Sequence, residues 1–382
     1  MSAALTLHRA RVLWPDGPEV RDLHLADGRV TDAPEGRSVD LSGYMILPGI
    51  VDIHGDGFER HLAPRRGAMK DVDQGLIATE AELAANGITT ATLAQFYSWE
   101  GGMRGPEFAE KVFAGLATIR PQVDTDLLVQ LRFEIPMLDD YAAVEEMIAR
   151  HAIPYVVFND HLPHEELAKG KRPPRLTGQA LRIGRNPEKH LAFMQDLHAR
   201  MPEVETALDG LSARLIAAGV RLGSHDEATG VARARNRARG IRIAEFPETL
   251  AAAEAARAGG DSIIMGAPNL VRGGSHKGNA SALEMAAMGL IDALASDYHY
   301  PSLKRAAFLL ADGGVCDLAA AWRLISLGPA RILGLEDRGE LRPGLRADLT
   351  VIDPASRRIM ATMAGGRISY MTGAVAARFM GL

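Results

Sequence analysis

Residues 50–61 read I-V-D-I-H-G-D-G-F-E-R-H. His54 and Asp56 are two apart, so an extended chain points both side chains the same way. An imidazole and a carboxylate presented together, after an apolar start at Ile50 and Val51, could grip a metal ion. The same stretch could equally be a strand running into a polar turn, with His54 merely hydrogen-bonded. Candidates of the same kind recur where other apolar runs end. Glu134 closes L-L-V-Q-L-R-F-E, Asp160 and His161 follow Y-V-V-F-N, His225, Asp226 and Glu227 follow V-R-L-G-S, and Asp297 and His299 follow A-L-A-S. Carboxylates gathered at one place repel one another unless cations neutralise them.

A parallel sheet would gather them. From Pro48 onward the chain alternates strand and helix patterns, with strands expected at 50–54, 88–94, 127–134, 154–159, 219–224, 241–245, 261–265 and 292–296. Helical patterns fall at 75–86, 106–118, 139–151, 190–218, 248–258 and 280–290. This alternation implies βαβ units. Eight units predict an α/β fold, a (β/α)8 TIM-like barrel, with an open doubly wound sheet as the other arrangement. In a barrel every strand's C-terminal end opens on one mouth, where active sites of this fold lie. Residues 1–48 read as short strands, with Asp27-Gly28 as a hairpin turn. Short strands also close the chain at 347–352 and 368–377. The two ends are expected to form one small β-sandwich domain. The domains are then 1–48, 49–335 (the barrel) and 336–382.

The 382 residues are 47% hydrophobic and 24% charged, enough for a large core. No apolar run approaches the ~18 residues that span a membrane, and the N-terminus lacks a long apolar leader. Cys316 is the single cysteine, so no internal disulfide forms, and a cytoplasmic location is expected. A net charge of −5 argues against a general nucleic-acid binder. It is compatible with a small anionic substrate and with a homo-oligomer.

Local charge favours such a substrate. Arg60, His61, Arg65 and Arg66 follow the first motif, and Arg272, Ser275, His276 and Lys277 lie in R-G-G-S-H-K-G-N. Glycines let backbone N–H groups approach phosphate oxygens, and arginine binds them in a fork. A flexible loop with a solvated arginine is the plainer alternative. The basic stretch 169–189 reads as an irregular excursion, either a binding loop or a solvated one. The arginines of 233–239 are expected on a solvated helix, Trp99 as a loop anchor, and His151, His190 and His198 at the surface.

The β-rich start, L-P-G-I-V-D-I-H-G-D, the aspartate closing the eighth strand and the late G-E-L-R-P-G-L-R-A-D-L-T-V-I-D resemble the amidohydrolase superfamily over essentially the whole chain. More narrowly, H-G-D-G-F-E-R-H-L-A-P-R, F-E-I-P, G-S-H-D-E-A-T, A-E-F-P-E-T, M-G-A-P-N-L-V-R-G-G-S-H-K-G-N and S-D-Y-H-Y-P resemble the family of alpha-D-ribose 1-methylphosphonate 5-triphosphate diphosphatases of the carbon–phosphorus lyase pathway. The resemblance implies a hydrolase with two divalent ions and the ligands His54, Asp56, Glu134, His161, His225 and Asp297. Asp297 would also be the catalytic proton acceptor, and Arg65, Arg272, Ser275, His276 and Lys277 would bind substrate phosphates.

The chain departs from the superfamily pattern. His54-Gly55-Asp56 replaces the usual H-x-H, and no lysine ends the third or fourth strand, so Glu134 is the expected substitute. Histidines usual after strands five and six here follow strands four and five, so either the ligand pattern or the strand count is shifted. Extra oxygen ligands suit hard ions, so manganese or magnesium compete with zinc or iron. A paired-metal site suits displacement at phosphorus, and the implied reaction is release of diphosphate in phosphonate catabolism. The alternatives are C–N bond hydrolysis, as by a deaminase or cyclic amide hydrolase, and a catalytically silent scaffold that binds partners.

Overall fold

The computed structural model describes residues 4–33, 36–63, 71–273 and 281–382. The central sheet holds eight strands in unbroken chain order: Ile50–Gly55, Ile88–Tyr97, Asp126–Glu134, Tyr155–Asn159, Arg221–His225, Ile243–Glu245, Ser262–Gly266 and Ala293–Ala295. Their pairings are parallel. A parallel bridge between Gly55 and Asp297 joins the first strand to the end of the eighth. This is the (β/α)8 barrel, not an open sheet. The first, second and fourth strands are buried along their whole length, as the apolar runs require of a sheet covered on both faces.

The chain divides into two compact units, Met1–Leu93 with Gly115–Leu128 and Ser262–Leu382, and Ala94–Ala114 with Val129–Asp261. The first unit contains the small β-domain. Leu5–His8, Leu23–Ala26, Arg29–Thr31 and Arg37–Asp40 make a four-stranded sheet. Asp27 and Gly28, at φ of 49° and 75°, make the expected hairpin turn. A six-stranded sheet joins Arg11–Trp14, Gly17–Val20 and Met45–Pro48 to the chain's end, where Leu349–Ile352 pairs antiparallel with Met45–Pro48. Alternating residues of both sheets, among them Leu7, Leu23, Val12, Ile46 and Val351, form one buried apolar cluster. Two details differ from expectation. Ile359–Ala364 is a strand that was not anticipated, and 372–377 is not a strand ending, because Gly373–Met380 is a helix placing Val375 and Phe379 on the same cluster.

In the second unit the expected helix 190–218 is two helices, Pro187–Ala199 and Met201–Ala217. Proline early in the second helix is the reason: it lacks the N–H that a continuous helix needs and fits a first turn. Residues 169–189 are not an irregular excursion. They contain the helix Leu176–Arg182, and Asn186 caps the next one by accepting from the Glu188 and Lys189 N–H groups. Among the described residues no helix is long and apolar enough to cross a membrane.

Candidate functional site

The first unit holds a compact ligand cluster. His54, Asp56 and Asp297 each offer one atom within 4.8 Å of the others. Backbone bonds fix this convergence: Asp297 N–H donates to the His54 carbonyl at 3.0 Å, and Asp56 N–H to the Asp297 carbonyl at 2.9 Å. Asp297 adopts φ of 56°. A non-glycine residue there is uncommon, and such strain gathers at functional sites. Beneath the cluster Asp52 is fully buried, and its two oxygens accept from Ser296 N–H at 3.0 Å and Ser296 Oγ–H at 2.5 Å. Burial raises the Asp52 pKa above the ordinary aspartate value, against the lowering effect of those bonds. One imidazole and two carboxylates form a donor set that fits a divalent ion with a taste for oxygen.

Arg272 ends the helix Ala267–Arg272 and donates to the hydroxyl of Tyr298, the residue after Asp297. It therefore stands beside the loop that carries the cluster. Arg60 and His61 do not present themselves as phosphate ligands. Both pair with Glu82, and Arg60 also donates to the Tyr298 carbonyl at 3.1 Å. Arg65, Arg66, Ser275, His276 and Lys277 lie outside the described residues.

The second unit holds another cluster, His161, His225 and Asp226, again with one atom of each within 4.8 Å of the others. Glu134, at the end of the third strand, is fully buried and holds His161 from two directions. Glu134 Oε1 accepts from His161 Nδ1–H, and Oε2 accepts from the His161 backbone N–H at 3.0 Å and from Trp99 Nε1–H at 3.2 Å. Burial by itself would lower the His161 pKa, but the bond and charge of Glu134 outweigh it and raise it. His225 moves the other way. Burial, reinforced by the Arg132 charge, lowers its pKa and favours the neutral ring that binds metals. Arg132, buried on the third strand with its guanidinium 3.9 Å from the Phe96 ring centre, donates to His225 Nε2 at 3.1 Å.

Three residues here went unremarked as site residues in the sequence. Glu245 ends the sixth strand, buried, with Oε1 accepting from Gln130 at 2.7 Å and from Tyr155 at 3.1 Å. Its other oxygen is 3.9 Å from His225 Nε2. Glu245 closes the strand expected at 241–245, so its position at a strand end, like that of Glu134, was the available clue. Arg132 and Gln130 alternate with Glu134 along the third strand, so the period of two was the available signal for both. The strand count stands, with His161 after the fourth strand and His225 ending the fifth.

Two surface assignments fail. Arg233 is fully buried, donating hydrogen bonds to Ser224 at 3.0 Å and Glu227 at 3.1 Å and ion-paired with Asp261 at 3.2 Å. A buried guanidinium is tolerable only when paired in this way. His190 is also fully buried, because it lies on the helix face shared with Met194 and Leu197. His151 and His198 are partly buried and hydrogen-bonded, to Glu110 and His164.

This arrangement, imidazoles and acids at the C-terminal ends of parallel strands, is that of a barrel hydrolase, and the chain belongs to the amidohydrolase family, whose model matches residues 136–370. The chain is 33% identical over 354 residues to the alpha-D-ribose 1-methylphosphonate 5-triphosphate diphosphatase of Escherichia coli (strain K12), across 87% of this chain and 88% of that protein. Among solved structures it is similar to the N-acyl-D-glutamate deacylase of Bordetella bronchiseptica, crystallised with zinc and a phosphonate inhibitor, at 14% identity, TM-score 0.60 and 97% coverage of both chains. The beta-aspartyl dipeptidase of Fervidobacterium islandicum AW-1 is similar at 15% identity, TM-score 0.58 and 97% coverage of both chains. At these identities the structural likeness is one of fold.

Proposed function

We propose that the protein is a divalent-metal hydrolase that releases diphosphate from alpha-D-ribose 1-methylphosphonate 5-triphosphate in phosphonate catabolism, in the cytoplasm. The observation that carries the reading is the His54–Asp56–Asp297 cluster with Arg272 beside it, in a chain related along most of its length to a diphosphatase of that name. His54, Asp56 and Asp297 would hold one ion, and His161 and His225, with Asp226, a second. Glu134 serves the second as the partner that orients His161, accepting from its ring and its backbone N–H. Such ions supply an acidified water and neutralise charge on phosphoryl oxygens.

The chain's own groups do the rest. Asp297 accepts the proton of the attacking water. The water oxygen bonds to the α-phosphorus as the bond from that phosphorus to the oxygen bridging it to the β-phosphorus breaks. Arg272 holds the β and γ phosphates and offsets the charge that develops as diphosphate leaves. On sequence grounds Arg65, Ser275, His276 and Lys277 join it. Metal analysis of the purified enzyme and of His54→Ala, Asp56→Ala and Asp297→Ala, with phosphorus NMR of the products, tests this. Each variant should lose metal and turnover while keeping its circular dichroism spectrum. Full metal content and rate in all three would overturn the assignment, and cleavage of C–N substrates with no phosphorus product would favour amide hydrolysis.

A further inference from the structure

The indole of Trp99 has a role that the ligand clusters alone do not explain. It is buried in the segment after the second barrel strand, and its N–H donates to Glu134 Oε2 at 3.2 Å. The other donors to that carboxylate both come from His161. Trp99 is thus the outside support of the Glu134–His161 pair among the described residues.

Trp99 is itself clamped. Arg185 Nη1–H donates to the Trp99 carbonyl at 3.2 Å. The His190 ring lies 5.9 Å from the indole, centre to centre, at an interplanar angle of 33°. His190 is fully buried, and among the described residues neither ring nitrogen has a hydrogen-bond partner. An unpaired buried polar ring calls for an explanation. Here its faces serve as packing surface for the indole, and burial, with the Arg185 charge added, lowers its pKa.

We propose that Trp99 is a positioning residue: its indole N–H fixes Glu134, Glu134 fixes the His161 ring, and Arg185 and His190 hold the indole in place. The proposal rests on the reading of His161 as a metal ligand. A ligating histidine commonly donates its second ring N–H to a carboxylate, and losing such outer support weakens metal binding about 10- to 100-fold. Arg185 and His190 therefore act on the metal site through Trp99.

Trp99→Phe keeps a ring against His190 but deletes the donor. In manganese titrations against a competing chelator, run beside wild type and His161→Ala, Trp99→Phe should bind about 10- to 100-fold more weakly. Its urea midpoint should fall, because the buried Glu134 loses a donor; weaker manganese binding in a protein that keeps the wild-type circular dichroism spectrum is the readout a merely structural role would not give. Wild-type affinity in Trp99→Phe, with weakened binding in His161→Ala, overturns the proposal and leaves the metal reading standing. Wild-type affinity in His161→Ala as well overturns both. If Trp99→Phe does not fold, Arg185→Ala decides: weaker binding supports the clamp, and unchanged binding overturns it.

Discussion

Gly55 separates the histidine and the aspartate of the first motif, and its lack of a side chain is a physical requirement. A Cβ there would stand 2.7 Å from Asp52 Oδ2, 2.9 Å from Ser296 Oγ and 3.0 Å from Tyr300 Cε1. Real Cβ atoms do not approach so closely, so something must move. All three neighbours are buried, and Asp52 and Ser296 hold each other through two hydrogen bonds. Overpacking of this kind costs about 1–3 kcal/mol, and weakening a bond to a buried carboxylate adds to it, for a total of roughly 2–4 kcal/mol. Gly55→Ala should lower the urea midpoint accordingly. It should also weaken metal binding, because the displaced Ser296 precedes Asp297 in the chain. Gly178→Ala is the matched control, since nothing lies within 4 Å of its Cβ and it sits inside the helix Leu176–Arg182. That change should be neutral or stabilise by up to ~1 kcal/mol. A Gly55→Ala protein with wild-type midpoint and metal affinity would refute the reasoning.

Arg233→Ala leaves the buried Glu227 without its cation, while Asp261 keeps Arg237 and Arg242, and should cost about 3–5 kcal/mol in urea unfolding. Arg235→Ala, on the exposed face of the same helix, should cost about 0–1 kcal/mol; equal effects would refute the distinction. Arg272→Ala should weaken binding of the triphosphate by calorimetry, losing about 1.5–3 kcal/mol of charge-assisted contact, while metal content stays near wild type. Unchanged affinity would mean that Arg272 serves only to hold Tyr298.

The barrel was legible because most strands are apolar runs closed by polar residues, and because helices of ordinary length separate the runs. His54, Asp56 and Asp297 were legible as candidates because they stand at or just past the ends of strands one and eight. Arg233 was misjudged by reading arginines along the chain instead of around the helix. Arg233 and Arg237 are four apart and share the face that meets Asp261, whereas Arg235 points away. His190 carried the same kind of signal, four residues before Met194 and seven before Leu197. Other features have no sequence signature. Asp226, Phe246 and Asp297 all adopt positive φ just past a strand end; asparagine and aspartate tolerate this, but phenylalanine gives no such hint. Nor does composition reveal that the Glu134 oxygens are taken up by His161 and Trp99, since that depends on where two loops return.

Hydrolysis of the ribose triphosphate in oxygen-18 water, with mass spectrometry of both products, tests the proposed reaction most directly. Attack at the α-phosphorus should leave the label on the sugar 5-phosphate and release unlabelled diphosphate. Label in the diphosphate, or release of orthophosphate, would contradict it.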